Sequence, residues 1–327
     1  MKKTILNFVK HQNFKKKLFT PGPASLLSEN ISSLEPCFGR GDQSYEKIEK
    51  EVLKKILGIS GQKKIARLQG AASFALEVMV SNFLYGKVLI IKTGVYSDRL
   101  NYMCETSKLH FRYIKEIKYI KFEHLENITE KFDWIIGCPV ETSIGFRIPI
   151  KDLYKLKKRL KAKLALDATA SIGLEIDHNL ADVMGFSSCK GLFGLTGGAF
   201  ICFNDKQNNE IKPFNFNLAN HLEKKMTGPY HSICSLYEIL KNYNDFSYAV
   251  KINKKIFLKK MKNFLNYTNY HQPNLCTLVN KKIKAKKNNI ILYQSRADIT
   301  GSVVCHLGEV HLKRKAKGKI FDNLILD

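Results

Sequence analysis

Leu164-Ala165-Leu166-Asp167-Ala168-Thr169-Ala170-Ser171, then Ala181-Asp182-Val183-Met184-Gly185-Phe186-Ser187-Ser188-Cys189-Lys190-Gly191, is the stretch that decides the fold. A short apolar run ends in a carboxylate. A second ends in small hydroxyl residues and one lysine, and Gly191, Gly194, Gly197 and Gly198 follow at once. Runs this short and this apolar read as strands buried on both faces, the pattern of a parallel sheet. An acid at one strand end and a lysine at the next suit an aldehyde cofactor with a basic ring nitrogen. The lysine would form a Schiff base and the acid would keep the ring nitrogen protonated, which is the chemistry of pyridoxal phosphate. Standing alone, the same residues also describe a solvated loop lysine and a helix-capping acid.

Outward from this stretch the pattern repeats. Ser44 to Leu57 carries a helical stripe of Ile48, Val52, Leu53, Ile56 and Leu57 and is expected to stop at Gly58. Ile65–Leu68 leads through Gly70 into a helix over Phe74–Leu84. Val88–Ile91 and Trp134–Cys138 read as buried strands, Tyr96 begins a helix, and Leu153–Leu160 is a basic helix. Alternating strands and helices predict an α/β fold with a mainly parallel sheet covered on both faces. Beyond Pro229 the pattern changes. Helices are expected over Ile233–Leu240 and Ala249–Leu265, strands over Leu275–Val279, Ile290–Tyr293 and Ser302–Leu307, and a last helix near the C-terminus. The organisation read from this is an arm over 1–18, a large domain over 19–240 and a smaller α+β C-terminal domain over 241–327.

Composition narrows the function. At 327 residues the chain can bury a substantial core. No apolar run approaches the roughly 18 residues that span a bilayer, and the basic, briefly apolar start makes a poor secretory signal. The expectation is a cytoplasmic protein with no membrane contact. The net charge of +25 comes from lysines spread along the whole chain, so no specific nucleic-acid partner is expected. The eight cysteines are scattered with no Cys-x-x-Cys pair, which reads as buried thiols and neither a metal site nor a disulfide framework.

Five further motifs stand in order around the two strands. They are Thr20-Pro21-Gly22-Pro23, Gln69-Gly70-Ala71-Ala72-Ser73-Phe74-Ala75-Leu76-Glu77, Gly94-Val95-Tyr96-Ser97-Asp98-Arg99, Glu141-Thr142-Ser143-Ile144-Gly145 and Thr227-Gly228-Pro229-Tyr230-His231-Ser232. With the Asp167 and Lys190 segments, this set resembles the class V aminotransferases, and within them the 2-aminoethylphosphonate–pyruvate and alanine–glyoxylate transaminases. The resemblance implies the aspartate-aminotransferase-like fold (PLP fold type I) and pyridoxal 5'-phosphate as cofactor. It also implies a homodimer with shared active sites, a small-molecule amino donor and a 2-oxo acid acceptor such as pyruvate or glyoxylate. Possible donors are 2-aminoethylphosphonate, alanine and serine.

The same resemblance assigns roles. Lys190 is the Schiff-base lysine and proton carrier, and Asp167 the partner of the ring nitrogen. Gly70, Ala71, Ala72 and Ser73 open a helix whose N–H groups suit a phosphate. Tyr96 stacks on the ring, Thr142 contacts its 3′ oxygen, and Thr227 reaches the phosphate of the neighbouring subunit. Two positions depart from the family pattern: Cys189 replaces a polar side chain, and Val303 falls where relatives carry the arginine that clamps a substrate carboxylate. Arg296 and Arg40 are the candidate substitutes. Two other readings remain, a PLP-dependent lyase or desulfurase on the same fold and a degenerate, non-catalytic binding member.

Overall fold

The computed structural model describes residues 2–312 and 318–326. Met1 of the expected arm, and 313–317 and Asp327 of the expected small domain, lie outside the described residues. Seven strands form the central sheet: β1 (Lys64–Gln69), β2 (Gly86–Lys92), β3 (Ile114–Lys121), β4 (Trp134–Gly137), β5 (Lys163–Asp167), β6 (Val183–Ser187) and β7 (Gly198–Phe203). Their spatial order is β1-β7-β6-β5-β4-β2-β3. Only β7 runs antiparallel to its neighbours, so the sheet is mixed but mainly parallel.

The central strands read as continuous apolar runs because both faces are covered. Trp134, Ile135 and Ile136 are all at most 1% exposed, with Ile135 packed into one helical layer and Trp134 and Ile136 into the other. The edge strand β3 was not anticipated. Its isoleucines recur at every third residue (Ile114, Ile117 and Ile120) among lysines and a glutamate, and it pairs only with β2. Charged residues on an edge strand block further pairing, so this strand reads locally as polar surface.

Helix ends correct the expected boundaries. The Gln43–Ser60 helix passes through Gly58 and stops at Gly61, whose φ of +66° suits a left-handed cap. Its start is capped by Asp42, which accepts from Tyr45 N at 3.1 Å. Residues Lys2–Lys15 form a helix whose Asn13 is hydrogen-bonded both ways to the backbone of Leu26. Beyond the sheet come helices Tyr230–Lys241 and Tyr243–Lys260, then short paired strands. Cys276–Val279 pairs antiparallel with Ser302–Cys305, and Ile290–Leu292 pairs with Lys17–Phe19. The strand expected to reach Leu307 ends at Cys305, and a helix takes over at Leu307–Leu312. Among the described residues no helix is long and apolar enough to cross a membrane.

Candidate functional site

The lysine sits on a loop with little freedom. Ser188 N donates to the Gly198 carbonyl at 2.9 Å, Gly194 N to the Ser188 carbonyl at 2.8 Å, and Phe193 N to the Lys190 carbonyl at 2.9 Å. These bonds close the excursion between β6 and β7 around Lys190. The loop also lies against backbone on two sides. A Cβ at Gly191 would stand 2.1 Å from the Ile172 carbonyl oxygen. One at Gly22, whose φ is +119°, would stand 2.4 Å from the Cys189 carbonyl oxygen and 2.8 Å from Lys190 Cγ. The Thr20–Pro23 motif therefore lies against the stem of the lysine, and only glycine allows that approach.

Asp167 ends β5 in register with Gly185 of β6, so the parallel sheet itself delivers the acid beside the lysine loop. Thr169 N donates to its Oδ1 at 3.0 Å. Burial raises the Asp167 pKa above the usual carboxylate value, while Thr169, Lys190 and Arg99 pull against that rise. A second buried acid, Glu141, orients the opposite wall. It accepts from Tyr96 N at 3.0 Å and from the Ser143 hydroxyl, closing the first turn of the Val95–Phe111 helix. Burial raises its pKa as well.

A cleft of about 240 Å³ brings together Lys190, Asp167, Ala71, Ala72, Ser73, Tyr96, Thr142 and Arg296. Gly70 stands at its edge, donating to the Gly197 carbonyl of the lysine loop at 2.9 Å. The other two predicted residues lie outside the cleft of their own chain. Arg40 is exposed and donates to the Lys225 carbonyl at 3.2 Å, two residues before Thr227, itself exposed. Val303 is 4% exposed, faces Leu278 across the strand pair and packs with Cys276 and Cys305. An anion has no partner there.

The sequence reading passed over several cleft residues. Arg99 lines the cleft one helical turn beyond Tyr96, with its guanidinium 5.1 Å from the centre of that ring. The i, i+3 spacing inside the Gly94–Arg99 motif was a usable signal for it. Thr169 and Ser187 also line the cleft, and their hydroxyl side chains carried no local pattern to mark them.

The free polar groups here fit an anionic, ring-bearing cofactor. The N–H groups of Ala71, Ala72 and Ser73, at the start of the Ala72–Phe83 helix, meet no acceptor among the described residues. Such a helix start favours a phosphate. The Thr169 hydroxyl is buried beside the Asp167 carboxyl, which its backbone N–H also reaches. A lysine, a buried acid, a stacking-capable aromatic and a phosphate-competent helix start define a class of protein, the lysine-anchored pyridoxal phosphate enzymes of the α/β kind.

Comparison with known proteins narrows the class to a family. The aminotransferase class-V family matches residues 29–226, more than half of the chain, and the chain belongs to that family of PLP-dependent enzymes. A bifunctional phosphonoacetaldehyde hydrolase/aminoethylphosphonate transaminase of Clostridioides difficile is 22% identical over 306 residues, covering 86% of this chain and 48% of that protein. The chain thus spans about half the length of that relative. A 2-aminoethylphosphonate–pyruvate transaminase of Pseudomonas aeruginosa is 25% identical over 252 residues, covering 70% of this chain and 68% of its own. Among solved structures, an alanine–glyoxylate aminotransferase of Nostoc sp. superimposes with a TM-score of 0.75 at 16% identity, covering 92% of this chain and 93% of that one. The fold is accordingly the PLP fold type I, as the motif order implied.

Proposed function

We propose that this chain is a transaminase moving an amino group from a small donor to a 2-oxo acid such as pyruvate or glyoxylate. The donor classes in view are 2-aminoethylphosphonate, alanine and serine. One observation carries the reading: Lys190 and Asp167 share a cleft with a helix start whose N–H groups are free.

The bound cofactor would supply the aldehyde that exchanges the amino group and the ring that accepts electrons from the substrate carbon. The chain supplies the rest. Lys190 anchors the cofactor and, once released, moves a proton at the substrate α-carbon. Asp167, buried and braced by Thr169, holds the proton on the ring nitrogen. Ala71, Ala72 and Ser73 bind the phosphate, Tyr96 stacks on the ring and Thr142 contacts its 3′ oxygen. Arg296 binds the substrate anion in place of the residue that Val303 cannot be. Its loop is pinned where the Ser295 hydroxyl donates to the Ser143 carbonyl at 2.5 Å. Thr227, turned outward in its own chain, serves the neighbouring cleft of a homodimer.

A desulfurase needs a mobile thiol, and the late cysteine does not fit that need. Cys305 is 1% exposed, sits in a strand opposite Cys276, and burial pushes its thiol pKa well up. The test is hydride trapping of the cofactor-loaded protein followed by mass mapping, then single-donor half-reactions. An adduct on Lys190 and conversion of the cofactor to its amine form support the transaminase. Absence of any adduct on Lys190 overturns it.

A further inference from the structure

Beneath the segment that carries Thr227 lies an ion pair withdrawn from solvent. Arg67 of β1 and Glu49 of the Gln43–Ser60 helix are 5% and 2% exposed, and Arg67 Nε donates to Glu49 Oε1. The Tyr45 hydroxyl donates to the same oxygen at 3.1 Å. The second oxygen, Oε2, accepts from Lys224 Nζ, three residues before Thr227. On the other side of Thr227, a Cβ at Gly228 would collide with the Arg67 guanidinium, which lies 5.9 Å from the centre of the Tyr230 ring. One buried pair thus grips the chain both before and after Thr227. The backbone does little of this work. Among the described residues, the N–H groups of Met226, Thr227 and Gly228 find no backbone acceptor, and Lys224 has a left-handed φ of +56°. Such a backbone keeps its shape only where surrounding contacts impose it.

We propose that Glu49 and Arg67 are positioning residues, fixing the segment from Lys224 to Tyr230 so that the exposed Thr227 meets the cofactor phosphate in the neighbouring subunit. This rests on the homodimer and on the role proposed above for Thr227. Taking two charges out of water is costly, and an apolar pair of similar size would hold the helix on the sheet as firmly. What an apolar pair lacks is a carboxylate oxygen for Lys224. Burial works to raise the Glu49 pKa, yet Lys224, Arg67 and Tyr45 outweigh it and keep the group charged. The pair therefore acts on the cleft of the other subunit, and its own cleft is served by the pair across the dimer.

Mixed dimers test this, because Lys190→Ala in one chain leaves a single cleft able to form a hydride-trapped adduct. The readout is the pyridoxal phosphate concentration that gives half-maximal adduct on the remaining Lys190. With Glu49→Gln placed on the Lys190→Ala chain, that concentration should rise about tenfold, the loss of one hydrogen bond to a charged acceptor. With Glu49→Gln placed on the chain that keeps Lys190, it should not change. A merely structural role predicts the opposite, a loss in the chain that carries the substitution. Equal loss in both arrangements, loss only in the second, or no loss in either would overturn the proposal. Glu49→Met with Arg67→Met covers the case in which the single variant does not fold, since it leaves no unpaired buried charge. Placed on the Lys190→Ala chain it should give the same rise, and an unchanged concentration would overturn the proposal. A monomeric unaltered chain in sedimentation, or no Lys190 adduct in it, would instead strike the functional reading itself.

Discussion

Replacing Gly22 with alanine should dislodge Lys190 while leaving every polar group of the cleft in place. The added Cβ would sit 2.4 Å from the Cys189 carbonyl oxygen and 2.8 Å from Lys190 Cγ, in a backbone conformation with φ of +119°. That conformation costs an L-residue about 1–3 kcal/mol, and forcing a methyl group into packed structure costs about 1–3 kcal/mol more. Together these give roughly 2–6 kcal/mol, a large part of a typical folding free energy of about 5–15 kcal/mol. At about 2–4 °C per kcal/mol for a chain near this size, melting should fall by on the order of 10 °C. Part of the strain can be relieved by moving the lysine stem, so the yield of hydride-trapped adduct on Lys190 should fall as well. Gly41→Ala is the control: Gly41 has φ of +78° but no atom within 4 Å of its notional Cβ. It should lose only about 1–2 kcal/mol and keep full trapping. If Gly22→Ala melts and traps as the unaltered protein does, the motif does not hold the lysine and the argument from close approach is wrong.

Other consequences can be measured directly. Burial raises the Asp167 pKa above 3.8, so the cofactor-free fold should gain stability as pH falls through the raised value toward 3.8. Asp167→Asn should abolish that gain in denaturant titrations, and should slow the donor half-reaction at least 100-fold if the acid keeps the ring nitrogen protonated. Lys254 is lowered to about 8 from 10.5 by burial, so the unfolded chain holds its proton more tightly. Stability should therefore rise between about pH 8 and 10.5, and Lys254→Met should flatten that rise in denaturation midpoints. Arg296→Ala should raise KM for an anionic donor by roughly 10- to 100-fold, the loss of a charged hydrogen-bond pair. An unchanged KM would remove Arg296 from the substrate site.

The fold was legible because its signal is local. The apolar runs of β4, β5 and β6 needed only neighbouring residues to be read as buried strands. The Asp167 and Lys190 segments could be paired on the same ground, since adjacent parallel strands end side by side. Strand β3 escaped because its isoleucines recur at every third residue, so no two-residue alternation marks it, and mostly charged residues lie between them.

The two arginines show where local reading ends. Arg40 and Arg296 each stand in a polar loop, and nothing in their neighbours separates them. Long-range contacts do: the Ser295 bond to Ser143 holds Arg296 at the cleft, and the bond to the Lys225 carbonyl holds Arg40 outside it. Gly22 likewise acquires meaning only from residues far along the chain, Cys189 and Lys190. By itself, the sequence determined the buried central strands, the family and the cofactor chemistry, because strand hydrophobicity and motif order are written in consecutive residues. The tertiary structure alone decided which of these cations enters the cleft, because that depends on distances between segments more than a hundred residues apart in the chain.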